Sequence, residues 1–123
     1  DAVLWSKDRD TSYVPSPLLY DEALYYVKGN DGILSSIDRV TGDALYAPQR
    51  LEGIGNVYSS PVAADGRVYL ADREGVTIVV AAGAPFTVLA TNALDDGFSA
   101  TPALVDGEIY LRGHRYLYCI AND

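Results

Sequence analysis

The chain has 123 residues, of which 49% are hydrophobic and 21% charged, the composition of one globular domain and not of a disordered segment. A net charge of −8 argues against nucleic acid and anionic membrane surfaces as default partners, because both select basic patches. No apolar run is long enough to span a bilayer, so no membrane insertion is expected. The single cysteine, Cys119, cannot form an internal disulfide or a Cys-based zinc site.

In chain order, the first element is "DAVLWSKDRD" (1–10), read as a lone strand. It opens on charged residues and shows no signal-peptide pattern. The sequence contains no Met, which reads as a chain trimmed or excised at its N-terminus. Next, "PSPLLYD" turns at Asp21-Glu22 into "ALYYVKG", "NDG" turns into "ILSSIDR", and "VTGD" turns into "ALYAPQRL". "SSPVAA" then turns at Asp65-Gly66 into "RVYLAD", "REG" turns into "VTIVVAA", and "GAPF" leads into "TVLATNAL". Last, "ATPALV" turns at Asp106-Gly107 into "EIYLRG", followed by "HRYLYCIAND". Asp-Gly between alternating apolar runs is a strong hairpin signal, since both residues tolerate positive φ. No stretch holds a 3.6-residue period, so the class is all-β.

The elements repeat. Pro17, Pro61 and Pro102 precede the first strand of each unit, at steps of 44 and 41 residues. Tyr25, Tyr69 and Tyr110 sit in the second strands at the same steps. A four-stranded unit of this period predicts a propeller blade. A single domain over 1–123 then divides into a lone closing strand (1–10), blades over 11–53 and 54–96, and an incomplete blade over 97–123. The last blade lacks a fourth strand. Leu4-Trp5 matches Leu45-Tyr46 one period away, so the N-terminal strand is expected to complete the last blade or a neighbouring one. Two copies closing a six-bladed ring, or further blades of a longer parent chain, are the two expected ways of covering the ends.

"DGILSSIDRVTGDALY" (Asp31 to Tyr46) resembles the pyrroloquinoline-quinone-like propeller repeat, "DGxLYALDxxTGxxLW", at Asp31, Gly32, Leu34, Asp38, Thr41, Gly42, Leu45 and Tyr46. "SSPVAADGRVYLADREG" resembles the segment that precedes it in that repeat, and "HRYLYCIAND" keeps its "LYxI" strand. The resemblance spans nearly the whole chain. It implies one of two branches. One holds non-enzymatic periplasmic or secreted bacterial proteins, including an outer-membrane assembly scaffold, and implies a module that docks a protein or peptide on its loop face or central funnel. The terminal "EIYLRGHRYLYCIAND" looks like the C-terminal blades of that branch. The other branch is the quinone- and calcium-dependent dehydrogenases that oxidise an alcohol or sugar. Their adjacent cysteine pair is absent, and Trp5 falls on the repeat's own "LW" position, so no catalytic, cofactor or metal residue is assigned.

The remaining chemistry-bearing residues read as structural. His114 is expected to be a solvated turn residue, and Ser59-Ser60 small packing residues near the axis. Asp8-Asp10 and Asp95-Asp96 are expected to be solvated loop charges, and Cys119 a buried inert thiol. Tyr13, Tyr58 and Phe98 open the three innermost strands and serve inter-blade packing. The functional alternative for these three aromatics is a partner-facing rim.

Overall fold

The computed structural model describes residues 2–121 and contains eleven strands and no helix. The first sheet is β1 (Leu18–Tyr20), β2 (Ala23–Val27), β3 (Ile33–Asp38) and β4 (Ala44–Arg50). The second is β5 (Val62–Ala64), β6 (Arg67–Ala71), β7 (Val76–Ala81) and β8 (Val88–Ala93). The third is β9 (Ala103–Val105), β10 (Glu108–Arg112) and β11 (Leu117–Ala121). Each is an antiparallel meander in sequence order, as the repeat requires. The all-β, three-bladed reading holds.

Register repeats as faithfully as sequence. Leu18 faces Tyr25, Val62 faces Tyr69, and Ala103 faces Tyr110. The same tyrosines then face Ser36, Val79 and Cys119 on the third strands. The hairpins fix this register: Asp65 and Gly66 have φ of 51° and 74°, and Asp106 and Gly107 of 48° and 80°. A two-residue turn with both φ positive matches the twist of the strands it joins. In the β1–β2 turn of the first blade only Asp21 takes positive φ, at 53°, because Glu22 is no glycine.

The core lies between sheets. Tyr25, Val27 and Leu34 of the first blade pack with Val68, Leu70, Ile78 and Val80 of the second, and Leu51, Ile54 and Val57 close the cluster from the connecting loop. A smaller cluster of Ala71, Phe98 and Leu111 joins the second blade to the third. Nearest the innermost strands, a relay of hydroxyls crosses both junctions. Ser16 N–H donates to Ser60 Oγ at 2.8 Å, and Ser60 N–H donates to Thr101 Oγ1 at 2.9 Å. All three residues directly precede the repeating prolines.

The N-terminal segment departs from expectation. Residues 2–7 form no strand and do not pair with the third sheet, which keeps β11 as an edge among the described residues. The segment lies on the first blade instead. The Trp5 indole donates to Arg39 O at 3.0 Å and its ring covers Gly42, where an added Cβ would come within 2.9 Å of Cδ2. Geometry explains the difference. The link over 8–17 keeps the segment on the first blade, whereas the inner strands touch in sequence, β1 with β5 and β5 with β9, which leaves β11 at the far end of the arc.

Candidate functional site

One end of the arc gathers the β2–β3-type turns and the loops that join blades. The meander dictates this, since each inter-blade loop leaves an outer strand at the end where those turns lie. Backbone bonds tie the loops together: Val57 N–H donates to Asn30 O at 2.7 Å, Phe98 N–H to Asp72 O at 3.0 Å, and His114 N–H to Gly97 O at 2.9 Å.

The structure separates the three aromatics expected at a shared rim. Tyr13 is 80% exposed. Tyr58 is half-buried, with the Arg73 guanidinium 4.6 Å from its ring centroid. Phe98 is fully buried and meets Tyr118 edge-on at 6.1 Å, so it does not face a partner. The reason is register. Counted back from the prolines, Tyr13 and Phe98 share a position that Val57 occupies in the second unit, while Tyr58 stands one residue later. Val57 and Phe98 are sealed by the blade before them, and Tyr13 has none before it among the described residues.

At the same end, the third blade's turn adds Tyr116, 59% exposed, with Arg115 5.5 Å from its ring centroid. Asp96 organises this turn and is not the free loop charge expected. Its carboxylate accepts from the backbone N–H groups of Gly97, Arg115 and Tyr116 and from the Tyr118 hydroxyl. Partial desolvation works against ionisation here, but the donors of Gly97, Tyr116, Arg115 and Tyr118 outweigh it and hold the carboxyl at about 2. Its neighbour Asp95 is exposed and pairs with Arg115 at 3.3 Å. Asp72 plays a similar part in the second blade, fully buried and accepting from Gly55, Glu74 and Val76 N–H.

His114 is exposed, as expected of a turn residue, and its Nε2 lies 3.1 Å from Ser99 Oγ. With the His114 N–H bond to Gly97 O, this contact pins two loops together. Ser59 is buried and donates to Ala71 O at 2.6 Å, a packing role. Cys119 is exposed, against the expectation of a buried thiol. It shares a face with Tyr110, and that face meets no further blade among the described residues.

The opposite end carries a feature that sequence reasoning missed. A groove of about 810 Å³ opens between the second and third blades, lined by Ala64, Tyr69, Ala90, Leu104, Ile109 and Ile120. The junction between the first and second blades is bridged by aromatic rings at the same end. Tyr20 stands where the second blade has Ala64, and its hydroxyl accepts from Gly66 N–H at 2.8 Å. Tyr25 reaches Gly83 N–H at 2.7 Å, and Tyr46 meets Phe86 at 5.5 Å between ring centroids. Burial pushes the Tyr46 phenol up to about 12.

With this geometry in view, likeness to known proteins is confined to fold. No family model matches the chain, and no curated protein matches it. Among solved structures, the chain is similar to BamB from Moraxella catarrhalis, with a TM-score of 0.75 at 16% identity over 95% of this chain. It spans 36% of the length of that protein. At this identity the likeness carries the architecture, a β-propeller, and nothing of activity.

Proposed function

We propose that the chain is a non-catalytic docking module, of the pyrroloquinoline-quinone-like repeat type, in a periplasmic or secreted bacterial protein. Its partner is a protein or peptide, held on the loop end of the blades. One observation carries this reading: two Tyr–Arg stacks, half-buried Tyr58 with exposed Arg73 and exposed Tyr116 with exposed Arg115, on turns and loops pinned by hydrogen bonds of Ser59, Asp72 and Asp96. Tyr and Arg are the residue types that most often dominate protein interfaces, and a rigid scaffold spares the cost of ordering them. Tyr13 extends the same rim in this reading.

The alternative, a piece of a quinone-dependent dehydrogenase, lacks a matching donor set. Among the described residues no three His, Cys, Asp or Glu side chains come together to hold a metal, and Trp5 is spent on Gly42. The residues present do not fit quinone and Ca²⁺.

Selection of phage-displayed random peptides on the immobilised chain tests the docking reading. Selected peptides should bind Tyr58→Ala and Arg73→Ala more than tenfold more weakly, about 1.4 kcal/mol each. Binding that ignores both substitutions sinks it.

A further inference from the structure

We propose that the inner end of the groove between the second and third blades binds a tyrosine side chain presented by a basic peptide segment. This site lies at the opposite end of the blades from the Tyr–Arg stacks and does not rest on docking there.

The chain itself shows what fits. At the first junction Tyr20, the last residue of β1, reaches the second blade, and its hydroxyl accepts from Gly66 N–H at 2.8 Å. One unit later Tyr20 becomes Ala64 and Gly66 becomes Gly107. The acceptor is gone and the donor remains. Asp106 and Gly107 hold φ of 48° and 80°, against 51° and 74° for Asp65 and Gly66, so the two amides are aimed alike from their hairpins. Gly107 lines the groove, and its N–H has no partner among the described residues. A Cβ added at Gly107 would meet nothing within 4 Å, so the space beside this donor is open.

The walls suit a ring. The groove's volume of about 810 Å³ is that of a side-chain or small-ligand pocket. Leu104 and Ile109, both half-buried, line it from the third blade opposite Ala64. Their counterparts in the second blade, Ala63 and Val68, pack in the core of the first junction, so this face of a blade takes an apolar neighbour. A phenol seated here covers apolar wall and gives Gly107 N–H its acceptor. The outer part of the groove, beside Ala90 and Ile120, corresponds to the place where Tyr46 meets Phe86 and lies outside the site.

Charge selects the segment that carries the ring. Asp65, Asp106 and Glu108 line the groove against a single cation, Arg67. Asp65 and Asp106 enter no ion pair among the described residues. Three carboxylates against one guanidinium favour a basic segment and repel an acidic one. Arg67 can stack on the seated ring, as Arg73 stacks on Tyr58.

Amide NMR titration of the full 123-residue chain with N-acetyl-tyrosyl-lysinamide tests the site. The Gly107 amide should shift saturably, and a Gly107 amide that does not move overturns the proposal. The phenylalanyl-lysinamide analogue should bind about fivefold more weakly, the factor that one ordinary hydrogen bond supplies. The tyrosyl-glutamate analogue should also bind more weakly. Equal binding of the first analogue overturns the assigned hydrogen bond, and equal binding of the second overturns the basic segment. Ala64→Tyr places the chain's own ring in the site and should abolish the Gly107 shift. A variant that folds and still binds overturns the proposal, and the comparison of probes on the original chain stands without it. None of these readouts involves Tyr58 or Arg73, so the docking reading at the loop end is tested separately.

Discussion

The two junctions of the arc are built from the same repeat and differ in how they are closed. Between the first and second blades, three tyrosines of one blade reach into the next, and two of them end on backbone N–H groups. Between the second and third blades, Ala64 and Ala90 replace two of those rings, and the hairpin end gapes. The loop end of that junction is held by Phe98 and by the polar hub around Asp96. The contrast teaches that a repeat fixes register and leaves junction strength to a few side chains. The equivalent tyrosines show it directly. Tyr25 is 1% exposed, Tyr69 faces the groove half-buried, and Tyr110 is 36% exposed.

The contrast is broken most sharply at Phe98. Phe98→Ala removes the largest buried side chain of the weaker junction and is expected to cost about 3–5 kcal/mol. Hydrogen exchange should then show β9–β11 losing protection while β1–β8 retain theirs. A uniform loss across all three blades would mean that the junctions are not independent. At the stronger junction Tyr20→Phe deletes one hydrogen bond and should cost about 1 kcal/mol, read as a lower urea midpoint.

The converse change sharpens the comparison. Ala64→Tyr copies Tyr20 into the groove and sets a hydroxyl near Gly107, the counterpart of Gly66. It should stabilise the third blade by about 0.5–1 kcal/mol, visible as a raised melting temperature. A lowered one would mean that the groove cannot take the ring.

The smallest effect is a pH dependence confined to the third blade. The Asp96 carboxyl is held at about 2, below the ordinary carboxylate value of 3.8. A depressed folded value means that ionised Asp96 stabilises the fold above the unfolded value, and that this contribution is lost as pH falls from about 3.8 toward 2. Exchange protection of β10 and β11 should decline across that window, and Asp96→Asn should abolish the decline.

Much of this architecture was legible because its determinants are local. The Asp65-Gly66 and Asp106-Gly107 turns and the spacing of Tyr25, Tyr69 and Tyr110 specify hairpins and register within a few residues. The groove was not legible, because Ala64 and Ala90 read as ordinary strand residues until the facing blade shows what they fail to fill. Asp96 reads as a free loop charge because three of its four donors, in Arg115, Tyr116 and Tyr118, come from a turn some 20 residues away. Trp5 aligns with Tyr46, but residues 2–7 form no strand and pair with no sheet among the described residues. Alignment gives a residue's counterpart, and the counterpart's partner strand must still be present. On the candidate rim, Tyr58 stands one residue later than Tyr13 and Phe98, enough to leave it half-buried while Val57 takes the sealed position that Phe98 holds in the third unit.

The relay through Ser16, Ser60 and Thr101 has a consequence for how such chains change length. Each bond runs in one sense, from a backbone amide to the hydroxyl of the following unit. The arc therefore has a polarity, and its units cannot be reversed or interleaved. They can be duplicated or deleted whole, since every new boundary presents the same donor and the same acceptor. Insertion of a whole unit, 41 or 44 residues in this chain, preserves that grammar.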